Sequence, residues 1–266
     1  MFSFVPRGTI LWGMLLLLGF LAGCAKPRQD RELVVGMDLS YPPFETIDAQ
    51  GQPVGVSVEL ARALAADLGR PLRIENIPFA GLVLSLRNGR VDCVISSMTD
   101  TPERREVVSF SDPYLSTGLA LLVNAGSDAR SLADIDQPGK TLVVRLGTTG
   151  ETWARQNIRN ARVVSMDKEN TAVLEVIQGK ADAFLYDQMS VWKNHQQNPD
   201  TTRALLEPVR KEEWAVAVRK DDEELRTRIN AFLKKFRAAG GFDRLADQFL
   251  KEQKEAFQKQ NIPFYF

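Results

Sequence analysis

The chain has 266 residues, with 34 Lys and Arg against 34 Asp and Glu, 44% hydrophobic residues and 8% aromatics. This is ordinary globular composition, which excludes a disordered or collagen-like chain, and the zero formal charge provides no overall field to attract phosphates or anionic lipid. Two cysteines cannot build a disulfide framework, and the length allows one or two domains large enough to fold without one.

In chain order, the first feature is Arg7 followed by an apolar run from Ile10 to Ala22. The run is short for a membrane span and leads directly into the polar stretch Lys26 to Glu32, which is the pattern of an export signal. It ends in Leu21-Ala22-Gly23-Cys24, which resembles the bacterial lipobox. Residues 1–23 are therefore expected to be a signal peptide, Cys24 a lipidated first residue and 24–30 a tether. An uncleaved anchor with an incidental cysteine is the alternative. Cleavage removes Arg7 and no acid, leaving 33 basic and 34 acidic side chains, so the exported domain stays near neutral. If Cys24 is acylated, Cys93 has no partner within the chain, and its apolar neighbours Val91, Val94 and Ile95 suit a small buried hydrophobe.

Beyond the tether, short apolar runs alternate with amphipathic segments, the pattern of strands joined by helical crossovers. Leu33 to Gly36 reads as a buried strand. Val58 to Leu68 carries Leu60, Ala61, Leu64, Ala65 and Leu68 at helical spacing, and Gly69 with Pro71 ends it. A strand over 72–77, a short helix over 82–88 and a strand over 91–96 follow. After a further strand at Leu119 to Val123, the stretch Asn124 to Asp128 is linker-like.

A second unit then repeats the order. Thr141 to Arg145 is a strand, Gly147 to Gly150 opens a helix from Glu151, and a strand over 162–165, a helix over 170–178 and a strand over 181–186 complete it. Each unit contains a Gly-x-x-Asp step before its last strand, Gly89 to Asp92 and Gly179 to Asp182. The tail adds a strand at Trp214 to Arg219 and amphipathic helices over 222–234 and 242–255, which cannot bury their apolar faces alone. Returning this tail to the first unit predicts two α/β lobes joined by two chain crossings, lobe 1 over 31–123 plus 210–266 and lobe 2 over 124–209. The cleft between them is the expected ligand site.

Gly36-Met37-Asp38-Leu39-Ser40-Tyr41-Pro42-Pro43-Phe44 resembles the first-strand loop of bacterial periplasmic solute-binding proteins of the polar amino-acid ABC-transporter class. Gly55 to Leu60, Ser96 to Thr99, Thr101 to Arg105, Phe110 to Tyr114, Gly147 to Thr149 and Ala183 to Asp187 are similar to further segments of that family, in the right order over roughly 31–252. The resemblance implies a two-lobed type 2 periplasmic-binding fold and capture of a polar amino acid or small zwitterion. It also implies delivery to an ABC permease of the inner membrane by lobe closure. It further implies a monomer on the periplasmic side of the envelope, held by lipid on Cys24, with no cofactor.

An α-amino acid loses water from two charges on entering such a cleft, so the cleft must present a cation for the carboxylate and an acid for the ammonium. By resemblance, Arg104 holds the carboxylate with Ser97, Thr99, Thr148 and Thr149 around it, and Asp187 holds the ammonium. The resemblance also makes Asp38 the acceptor for a nitrogen-bearing side chain, with Tyr41 and Phe79 sandwiching its aliphatic part. Read without the family, Arg104 belongs to a solvated charge cluster, Asp187 and the two threonines to helix caps, and the aromatics to the core. Two departures from the family pattern, Ser57 and Ala80 where acids are frequent, weaken the case for lysine or arginine as ligand.

Other chemistries lack their parts. The single His195 sits in a polar stretch, which leaves no metal cluster and no Ser-His-Asp set. Gly147 to Gly150 lacks the ending of a phosphate loop, and no basic stripe points to nucleic acid. No catalytic residue is expected. The runner-up readings are a cyclohexadienyl or arogenate dehydratase-like lyase on the same scaffold, which needs a cleft carboxyl as general acid, and a ligand-sensing input protein for a signalling partner.

Overall fold

The computed structural model describes Met1, residues 31–260 and Ile262. The rest of the expected signal peptide, Cys24 and the aromatic end from Pro263 to Phe266 lie outside the described residues. The strands are β1 (Leu33–Met37), β2 (Thr46–Ile47), β3 (Pro53–Val54), β4 (Leu72–Asn76), β5 (Cys93–Val94), β6 (Val108–Asn124), β7 (Thr141–Arg145), β8 (Arg162–Met166), β9 (Ala183–Asp187) and β10 (Thr202–Arg219). Eight of them form one sheet in the order β4-β1-β5-β10-β6-β9-β7-β8, and β2 and β3 form a separate hairpin.

Two parallel triplets carry the architecture. In the first, β1 lies between β4 and β5; in the second, β7 lies between β8 and β9. All five residues of β1, β7 and β9 are buried, as parallel strands covered on both faces require. The long strands β6 and β10 run antiparallel to each other and join the halves. Leu119 to Val123 of β6 pair antiparallel with β9.

Helix α1 (Val56–Leu68) buries Leu60, Ala61, Leu64, Ala65 and Leu68, and Gly69 ends it in the left-handed conformation at φ 66°. Its first turn has no side-chain cap. Val56 and Ser57 instead donate their N–H groups to the carbonyls of Pro43 and Phe44 at 3.2 and 2.8 Å, which ties the helix to the loop after β1.

The Gly-x-x-Asp steps do the same work in both halves. Gly89 and Gly179 turn the chain at φ 72° and 68°. Asp92 then accepts from the Val34 N–H at 3.1 Å and Asp182 from the Thr141 N–H at 2.8 Å, so each carboxylate pins the start of its central strand. Cys93 is fully buried without a disulfide partner, and burial pushes its thiol pKa up.

Three features differ from the sequence expectation. The segment 188–197, unassigned from its polar composition, is a helix, α7 (Gln188–Gln197), following α2 (Leu82–Arg87), α3 (Pro102–Arg105), α4 (Leu132–Ile135), α5 (Thr149–Asn157) and α6 (Glu169–Ile177). After α8 (Glu223–Ala238), the expected helix over 242–255 is two, α9 (Gly241–Phe249) and α10 (Lys251–Lys259), broken where Leu250 turns fully into the core. Helix α9 packs on α1 and α8 of the first half, but α10 reaches α7. Its buried Phe257 meets Trp192 edge-on at 6.4 Å, so the tail does not return wholly to the first lobe.

Candidate functional site

The carboxyl ends of both parallel triplets face one cavity, as expected for a cleft between α/β halves. Asp38 follows β1, Phe79 follows β4, Ser97 and Thr99 follow β5, Arg145 ends β7 and Asp187 ends β9. All nine residues expected to touch a ligand, Asp38, Tyr41, Phe79, Ser97, Thr99, Arg104, Thr148, Thr149 and Asp187, line this cavity, which holds about 420 Å³ of empty space, part of it open to solvent.

Arg104 reaches the cavity from the short helix α3, which Thr101 caps by accepting the Arg104 N–H. Its guanidinium donates to the Thr99 carbonyl at 2.6 Å and, across the cleft, to the Gly147 carbonyl at 3.2 Å. Burial draws its pKa down to about 10, with the Glu212 carboxylate opposing that shift. Gly147 allows the close approach of the halves. It has φ 75°, and a Cβ there would sit 2.9 Å from Ala80 on the other side.

Asp187 is both a cap and a cavity residue. One carboxylate oxygen accepts the Ser190 N–H at 3.0 Å, capping α7, and the Tyr41 hydroxyl of the opposite half at 2.6 Å. Burial raises its pKa to about 6, against the lowering effect of those two hydrogen bonds. Thr148 caps α5, and Thr149 begins it. Ser97 is the only non-glycine residue with positive φ among the described residues, at 48°, and such strain collects at functional sites.

The aromatics divide. Tyr41 is buried, stacks on Phe44 at 5.4 Å and meets Trp214 edge-on. Phe79 is half-buried, with the guanidinium carbons of Arg104 and Arg145 over its ring at 5.5 and 5.8 Å.

Five polar residues line the cavity beyond those expected from the sequence: Glu45, Ser96, Arg145, Tyr186 and Glu212. Glu45 is buried and accepts from the Ser96 and Ser97 hydroxyls at 3.2 and 3.1 Å; burial pushes its pKa to about 8. One oxygen of Glu212 accepts from the hydroxyls of Thr99 and Thr149 at 2.9 and 3.0 Å, and the other faces Arg210. Asp38 is not left open for a ligand nitrogen alone, because it already accepts from Arg145, from the Phe79 N–H at 2.9 Å and from Ser40. His195 is half-buried beside Thr202 at 3.3 Å and does not line the cavity.

Residues 33–252 match the model of bacterial extracellular solute-binding proteins, family 3. The chain belongs to this family. The L-cystine-binding protein TcyJ of Escherichia coli strain K12 is 30% identical over 223 residues, 84% of each chain. Among solved structures, an ancestral arginine-binding protein bound to arginine is 32% identical with a TM-score of 0.78, covering 84% of this chain and 99% of that one. An ancestral amino acid-binding protein, described as a precursor of cyclohexadienyl dehydratase, is 32% identical with a TM-score of 0.75, covering 82% and 94%. The two-lobed fold of this family-3 chain is thus that of solved amino acid-binding proteins.

Proposed function

We propose that this family-3 protein binds a polar amino acid between its halves and delivers it to an ABC importer. The observation that carries the reading is the placement of Arg104 and Asp187 across one cavity. A guanidinium held by the Thr99 carbonyl suits the α-carboxylate, and a buried acid suits the α-ammonium. Contacts from both halves to one ligand favour the closed arrangement by their differential affinity.

Calorimetry with the twenty amino acids against the mature domain tests this, and pH adds a check on Asp187. Its carboxylate must be charged to hold an ammonium, and its pKa without ligand is about 6. Affinity is therefore expected to fall by about tenfold per unit as the pH drops below that value. Affinity that holds steady well below that pH would remove Asp187 from the ammonium site.

Cys24 carries lipid in this reading, tethering a monomer to the envelope on its extracytoplasmic side. The described residues contain no helix long and apolar enough to cross a membrane. Mass spectrometry of detergent-extracted protein is expected to show an acylated terminus at Cys24; residues 1–23 still attached to an unmodified cysteine would rule this out.

Glu45 is the observation favouring a second reading. A carboxylic acid that stays protonated at neutral pH in the cleft is what a lyase would need as general acid. The binding reading gives it a structural role between Ser96 and Ser97. Turnover of prephenate or arogenate, lost on Glu45→Gln, would decide for the enzyme.

A further inference from the structure

The charges around the cavity pair off, with one cation and one acid remaining for a ligand. Arg145 faces Asp38 in a buried ion pair, and Arg210 faces Glu212. Arg104 and Asp187 remain, which match the two ends of a zwitterion. Burial leaves Glu45 protonated at neutral pH, so it adds no charge there. A ligand side chain bearing either charge would enter this balanced site without a counter-ion, and a buried unpaired charge is strongly unfavourable.

Arg145 itself is 2% exposed and lines the cavity. One terminal nitrogen donates to the Tyr186 hydroxyl at 3.1 Å, and the other to Asp38 and to Ser40 at 3.2 Å. Its Nε–H is buried with no acceptor. Asp38, which in the family resemblance would meet a ligand nitrogen, is occupied by a guanidinium of the chain itself.

We propose that Arg145 sets the specificity of the cleft: its pairing with Asp38 neutralises both groups, so the site disfavours charged side chains and selects an uncharged polar one such as that of glutamine. The inference rests on the amino-acid-binding reading and narrows its substrate class.

Calorimetry with glutamine, glutamate, arginine and lysine tests it on the wild-type mature domain, Arg145→Gln, Asp38→Asn and the double variant. Wild type is expected to bind glutamine at least about tenfold tighter than the three charged amino acids. Arg145→Gln leaves Asp38 unpaired, and the ratio of arginine to glutamine affinity is expected to rise by about tenfold or more; adding Asp38→Asn should abolish that rise. Asp38→Asn alone leaves Arg145 unpaired, so the ratio of glutamate to glutamine affinity should rise similarly, which gives an independent readout should Arg145→Gln fail to fold. Wild-type preference for arginine or lysine, or unchanged ratios in the folded variants, overturns the proposal while leaving amino-acid binding intact. Binding by none of the twenty amino acids would instead overturn the underlying reading, and this inference with it.

Discussion

Arg104→Ala and Asp187→Asn are each expected to weaken amino-acid binding by at least about thirtyfold with the fold intact. Each change leaves one ligand charge desolvated opposite a neutral group, and truncating one member of a buried hydrogen-bonded charge pair typically costs about 2–5 kcal/mol. Asparagine is the informative substitution at 187 because the native carboxylate also caps α7 through the Ser190 N–H. Asn caps a helix about as well as Asp, so the variant removes the charge and spares the helix. For Arg104, the lost guanidinium contacts within the protein are to the carbonyls of Thr99 and Gly147. Calorimetry on variants with wild-type circular dichroism provides the measurement. Near-native affinity in both would mean that the ligand does not lie between these residues.

The largest expected effect on stability is at Gly55. Its backbone, at φ 124° and ψ 178°, lies in a region essentially restricted to glycine. A Cβ there would sit 2.3 Å from the Phe44 carbonyl oxygen and 2.6 Å from that of Pro43. Those two oxygens accept the first N–H groups of α1, so relieving the clash by moving the loop breaks the bonds that cap the helix. Gly55→Ala is expected to lower the unfolding free energy by about 3 kcal/mol or more, read as a lowered urea midpoint. The same loop carries Tyr41 and Glu45 into the cavity, so ligand affinity should fall with it. A wild-type midpoint would show that the loop relaxes without loss.

Much of this protein is legible without coordinates because its local signals agree with its fold. Leu60, Leu64 and Leu68 repeat at helical spacing and are buried on one face of α1, while Gly69 ends the helix in the conformation glycine favours. The two Gly-x-x-Asp steps mark equivalent turns because each must place a carboxylate against the first N–H groups of a neighbouring strand. Arg104, Thr149 and Asp187 stand out only through the family resemblance, because by themselves they read as a charge-cluster arginine and two helix-cap residues. Helix α7 escaped notice because its amphipathic signal is weak: Gln188, Ser190 and Asn194 are polar yet buried, satisfied by Leu206, Glu169 and the helix itself. The most consequential omission was Arg145. In the sequence it is the charged end of the apolar run Thr141-Leu142-Val143-Val144, a place where an arginine ordinarily reaches solvent. Its partner Asp38 lies 107 positions earlier in the chain, and Tyr186 lies 41 positions later. Periodicity and capping report on neighbours within one or two turns; which charge faces which across the cleft is decided only when the two halves close, since ion pairing depends on distance in space and on exclusion of water.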